Sequence, residues 1–174
     1  MATTIIRPSS VVDDLGFNYS GGELSAQIGD DDQGTTILQG QTECYFTVEL
    51  TNDSAYTGGT FSSLVVNMTA FAGRSGDSTC MVYIDNSSND ELQSNQFDYT
   101  GTASTESGEA YDAGGLSSSD VDGLRIRVVP NGAGVEITEV FLTIVYTAAA
   151  PAILTAPGIT LSSGKLVMTG KITY

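Results

Sequence analysis

Apolar and polar residues alternate with period two along most of this chain. In residues 134–147, GVEITEVFLTIVYT, Val140, Leu142, Ile144 and Tyr146 share one face of an extended strand. Glu139, Phe141, Thr143 and Val145 share the other. Such alternation commits one face to a core. The second face, with Phe141 and Val145, is more apolar than a solvated face needs, so something is expected to cover it. The same grammar recurs in ECYFTVELT (Cys44, Phe46, Val48 and Leu50 inward), in SLVVNMTAFA (Leu64, Val66, Met68 and Ala70) and in TCMVYID (Cys80, Val82 and Ile84). LRIRVV places Leu124, Ile126 and Val128 inward and Arg125 and Arg127 outward, and NQFDYT is a shorter candidate. Gly21-Gly22 sits between LGFNYS and ELSAQI as a hairpin signature. The run from Pro130 to Gly134 reads as a turn, after which the chain returns antiparallel.

Strands at short spacing, joined by Gly, Asn, Asp and Ser turns and without helical periodicity, predict an all-β fold. The expected architecture is an antiparallel β-sandwich of about eight strands, jelly-roll-like. Three of the four prolines lie near the ends, so the chain divides into an N-terminal arm (1–14), the sandwich (15–148) and a C-terminal extension (149–174). The extension contains its own hairpin pattern, ITLSSGKLVMTGKITY, with Leu166, Met168, Ile172 and Tyr174 at period two after the turn. An isolated hairpin is marginal in water, so it should fold back on the sandwich or add to a neighbouring subunit. Residues 101–121 show no periodicity and read as a long loop, functional or mobile.

Composition narrows the chemistry. The chain has 174 residues, with 40% hydrophobic and only 16% charged residues, against the roughly 25% charged usual in globular proteins. Its net charge is −15, from 21 acidic and 6 basic residues. No basic cluster could neutralise a phosphate backbone, which argues against nucleic acid, and an anionic membrane surface would repel the chain. There is no histidine and no tryptophan. Catalytic arrangements that need an imidazole are therefore excluded, leaving carboxylate chemistry. MATTIIRPSS lacks the basic and apolar segments of a secretory signal, and no apolar run approaches the ~20 residues of a membrane helix.

Few residues then stand out as sites. Asp30, Asp31 and Asp32 could offer oxygens to Ca²⁺, although a solvated acidic turn is the simpler reading and no metal or cofactor is expected. Glu43 and Glu49, on the outward face of one strand, lie roughly 20 Å apart at about 3.3 Å per residue, too far for a glycosidase pair. Tyr45, Phe71, Tyr83 and Tyr99 are the rings that could stack on a sugar if they face outward. Cys44 and Cys80 read as buried thiols that behave as small apolar side chains, with a disulfide between them the alternative if their strands are neighbours. Arg125 and Arg127 are expected to pair with nearby carboxylates or with an acidic partner.

The layout resembles the small β-sandwich virion proteins of tailed bacteriophages, especially capsid decoration or cement proteins. The resemblance is carried by the MATTIIRPSS arm, the acidic Ser/Thr/Gly-rich body, the segment GLRIRVVPNGAGVEITEVFLTIVYTA and the hairpin after a Pro-containing linker. It implies a non-enzymatic, often trimeric protein, assembled in the host cytoplasm. Such a protein would bind the major capsid protein, or another virion protein, on the outer capsid surface. The two extensions, 1–12 and 151–174, are the contact regions expected, through Thr3, Ile5, Ile6, Arg7, Leu166, Met168, Ile172 and Tyr174. A tail, baseplate or head-fibre component is an alternative location, and a carbohydrate-binding module is the alternative function.

Overall fold

A computed structural model describes residues 1–15, 17–19, 37–39, 44–73, 78–131, 134–150, 159–162 and 165–168. The strands are β1 (Ala2–Ile6), β2 (Pro8–Leu15), β3 (Phe17–Tyr19), β4 (Ile37–Gln39), β5 (Tyr45–Leu50), β6 (Thr60–Ala72) and β7 (Ser78–Asp85). They continue with β8 (Glu91–Tyr99), β9 (Ser104–Ser107), β10 (Tyr111–Asp112), β11 (Arg125–Asn131), β12 (Val135–Thr147), β13 (Ile159–Ser162) and β14 (Lys165–Met168). One sheet has seven strands in the order β10-β6-β12-β4-β3, with β1 also on β12 and β9 also on β6. The other has five, in the order β2-β5-β11-β7-β8, and β13 pairs with β14 as a separate two-stranded sheet. All pairings are antiparallel. The fold is an all-β sandwich, as the alternation predicts, with more strands among the described residues than the eight expected.

The period-two faces meet between the two large sheets. Leu64, Val66, Met68 and Ala70 of β6 and Val140, Leu142 and Ile144 of β12 are fully buried. So are Phe46 and Val48 of β5, Cys80, Val82 and Ile84 of β7, and Ile126 and Val128 of β11. Cys44 and Cys80 are buried thiols in this core.

The N-terminal segment is not a free arm. β1 pairs with β12 from Ala2↔Tyr146 to Ile6↔Leu142, and β2 pairs with β5 in the opposite sheet. The chain changes sheets at Arg7, whose carbonyl accepts the Thr51 N–H at 2.7 Å. Ile6 drops into the core at 3% exposure, while Ile5 stays 51% exposed. Period-two geometry requires that split. Arg7 also supplies part of the cover expected over β12. Its guanidinium lies 5.3 Å from the Phe141 ring centroid and forms an ion pair with Glu139.

Two further expectations are corrected. β11 and β12 do not form a hairpin. Pro130 and Asn131 extend β11, opposite Cys80 and Thr79 of β7, while β12 joins the seven-stranded sheet. The chain thus crosses the sandwich after Asn131 and enters β12 through Gly134 at φ 103°, a conformation that favours glycine. Residues 101–121 are not a structureless loop. β9 and β10 pair with β6, and a short helix, Ser118–Asp122, is capped by Ser117, whose hydroxyl accepts the Asp120 N–H.

The hairpin expected in the C-terminal extension is present as β13 and β14, with Ile159 opposite Met168 and Ser162 opposite Lys165. Ile172 and Tyr174 lie outside the described residues, as do the Gly21-Gly22 turn and Asp30, Asp31 and Asp32.

Candidate functional site

The solvent face of the five-stranded sheet brings charged and aromatic side chains of several strands together. Register places Ser94, Tyr83, Arg127, Thr47 and Asp13 side by side on β8, β7, β11, β5 and β2. At about 4.8 Å per strand this row spans roughly 19 Å. A neighbouring row holds Glu91, Asp85, Arg125, Glu49 and Ser10. Over these strands opens a cleft of about 390 Å³, lined by Val12, Asp13, Tyr45, Thr47, Asp85, Asn89 and Arg127.

Arg127 is the centre of the cleft. Its Nε donates to Asp85 Oδ2 at 2.7 Å and its Nη2 to Asp85 Oδ1 at 3.2 Å, a two-pronged pair. Its Cζ lies 3.8 Å from the Tyr83 ring centroid. The Asp85 hydrogen bonds hold the guanidinium pKa above its ordinary value, so it keeps its charge. Arg125 donates to Glu49 Oε1 at 3.0 Å and to Asn89 Oδ1 at 2.7 Å. Asn89 takes its place through local chemistry. In the turn between β7 and β8, Asn86 Oδ1 accepts the N–H groups of Ser88 and Asp90, and Asn89 adopts φ 65°, which asparagine tolerates. At the other side of the cleft Tyr45 Oη donates to Asp13 Oδ2 at 2.7 Å, and this bond is the main reason that the phenol pKa is raised.

Of the four rings singled out as sugar-stacking candidates, Tyr45 and Tyr83 share this face, on opposite sides of β11. Tyr99 does not: it is fully buried, with its Oη donating to the Met68 carbonyl at 2.8 Å. Phe71 lies on β6, in the other sheet. Arg125 and Arg127 do point outward and pair with carboxylates. Asp85 and Asn89 were not singled out from the sequence, because their place beside the arginines depends on strand register. Glu43 lies outside the described residues, and Glu49 is engaged by Arg125 and by Ser10 Oγ at 3.2 Å. Among the described residues no group of three or more His, Cys, Asp or Glu side chains is placed to hold a metal ion. Of the contact residues expected in the two extensions, Ile6 is internal and Arg7 is paired, whereas Thr3 and Ile5 are exposed. Leu166 and Met168 lie on β14.

Fold and cleft together define an antiparallel sandwich with a polar, aromatic-bearing site on one solvent face. No family model matches the chain, and no curated protein matches it. Among solved structures, it is similar to a family 35 carbohydrate-binding module from Clostridium thermocellum, at 11% identity and TM-score 0.48, covering 86% of this chain and 100% of that one. It is also similar to the C-terminal CBM6 of LamC, a marine laminarinase from Zobellia galactanivorans, at 9% identity and TM-score 0.47, covering 82% and 98%. A third similarity is to tailspike protein 4 of bacteriophage CBA120, at 8% identity and TM-score 0.42, covering 82% of this chain and 19% of that one. None of these likenesses assigns a ligand to this chain.

Proposed function

We propose that this protein is a non-catalytic glycan-binding module whose site is the solvent face of the five-stranded sheet. The observation that carries the reading is the cleft around Arg127. A sugar presents hydroxyls that both donate and accept, along with flat C–H faces. The cleft answers with acceptors on Asp13, Asp85 and Asn89, donors on Arg127 and Thr47, and the Tyr45 ring, while the Tyr83 ring backs the Arg127 guanidinium on the same face. Planar groups such as guanidinium and carboxylate can take adjacent hydroxyls in pairs.

The charge balance favours a neutral glycan. Three carboxylates, Asp13, Glu49 and Asp85, surround two guanidinium groups, within a chain of net charge −15. Catalysis is disfavoured because Asp13 and Asp85 already hold Tyr45 and Arg127. A glycan array followed by calorimetry tests the proposal. The expected result is saturable binding of a neutral oligosaccharide that Tyr45→Ala and Tyr83→Ala each weaken about tenfold, ~1.4 kcal/mol. Binding that survives both substitutions in folded protein, or no binding across the array, overturns it.

A second reading is favoured by the hairpin β13–β14, which among the described residues pairs with neither large sheet. Here the sandwich is an accessory protein of a phage particle, held by that hairpin to a major capsid or other virion protein. Many identical copies on a lattice would add modest contacts through multivalency. Deleting residues 149–174 should then abolish decoration of particles while leaving the sandwich folded. Full occupancy by the truncated chain overturns this reading.

A further inference from the structure

We propose a second ligand site at the edge of the sandwich, where β8 meets the turn after β9, anchored by the Asn95 side chain and suited to a hydroxyl of a neutral sugar. A cavity of about 310 Å³ opens there, lined by Ser94, Asn95, Gln96, Ser107, Gly108 and Glu109 among others. Asn95 lies opposite Val82, on the inward face of β8, and is 8% exposed. Its Oδ1 accepts the Glu109 N–H at 2.8 Å. A backbone N–H requires an oxygen, so this bond fixes which way the amide is turned. Two residues earlier, Gln93 Nε2 donates to the Glu109 carbonyl at 3.0 Å. The two side-chain amides therefore hold both polar groups of Glu109, as a paired strand would.

What this clamp leaves over is the informative part. Among the described residues, Asn95 Nδ2 is buried and has no hydrogen-bond partner. A buried donor left unmatched is costly, and native structures retain few of them. The chain also keeps the approach to this amide tight. A Cβ at Gly108 would stand 2.7 Å from Asn95 Cγ, so any side chain there would displace the amide. The lining contains neither Lys nor Arg, which disfavours an anion. At the mouth are the exposed Glu109 carboxylate and Gln96, whose Nε2 is used by Asp98 at 3.0 Å, leaving its carbonyl oxygen as an acceptor. One deep donor with acceptors at the mouth matches a hydroxyl, which accepts from Asn95 and donates outward. Neither Arg127 nor either aromatic residue of the face cleft takes part. The site therefore rests on the glycan reading only for the class of its ligand.

Site-resolved NMR on the full chain tests it, by titration with a panel of neutral methyl glycosides. The expected result is saturable shifts of the Asn95 side-chain amide and of the Gly108 and Glu109 backbone N–H groups. Asn95→Asp keeps the acceptor for Glu109 but removes the donor, and should weaken these shifts at least tenfold. Glu109→Gln, an exposed change that spares the fold, should weaken them several-fold. Both variants should leave the shifts at Tyr45 and Arg127 unchanged. Shifts confined to Tyr45, Tyr83 and Arg127 overturn the edge site and leave the face cleft standing, as does edge binding that both variants retain. Absence of shifts anywhere overturns the two together.

Discussion

Asp85 is buried beside a guanidinium that reaches solvent, and the two halves of that pair differ in what their removal leaves behind. The side chains are 1% and 29% exposed. Arg127→Ala leaves a carboxylate deprived of its two-pronged partner out of water, at a cost of about 3 kcal/mol, the lower end for breaking a buried pair. Asp85→Asn keeps one acceptor and leaves a guanidinium that can turn to solvent, so about 1–2 kcal/mol is expected. Urea unfolding with an unchanged slope checks the order of the two. The outward direction of Arg125 and Arg127 was legible from period two alone. Their partners, Glu49 and Asp85, were not, because they lie on other strands and register cannot be read from one sequence. The facing of Tyr99 stayed open for a different reason. NQFDYT gave too short a window to show that Asn95, Phe97 and Tyr99 share the buried face of β8.

At the scale of elements, β1 and the crossing into β12 carry the lesson. Ile6→Ala should cost about 2–4 kcal/mol, as for other buried aliphatic truncations, while Ile5→Ser, one position away, should stay within about 0.5 kcal/mol. Thermal or urea unfolding of the two variants distinguishes a docked first strand from a loose arm, which would make both changes equally mild. Gly134→Ala forces a side chain into φ 103° and should destabilise by about 1–3 kcal/mol by the same measurement. The sequence announced β11 and β12 as strands and Gly134 as a place of reversal. It did not announce that the reversal joins two sheets, since a short glycine-rich link serves a hairpin and a crossing equally well. β9 and β10 were hidden because strands of four and two residues are too short to display a period.

For the molecule as a whole, alkaline titration probes the core. Burial pushes the Tyr56 phenol from its ordinary 10.0 to about 12, and burial pushes the Cys80 thiol from 9.0 to about 12. The folded state therefore holds these protons more tightly than the unfolded chain. The stability contributed by these two protons should be intact below pH 9, decline as the unfolded groups ionise, and be gone by about pH 12. Unfolding midpoints measured from pH 8 to 12 should fall across that window, and Tyr56→Phe should flatten the part above pH 10. An unchanged slope in that variant would mean that Tyr56 is not the group being titrated.

The pairing of β1 with β12 also sets a timetable for birth on the ribosome. The first strand leaves the tunnel long before its partner has been made. Nearly 140 residues separate Ile6 from Leu142, and at 5–20 residues per second that is a wait of roughly 7–30 s. Through that interval the backbone hydrogen-bonding groups of β1 lack their β12 partners, and the net charge of −15 opposes association with neighbouring nascent chains.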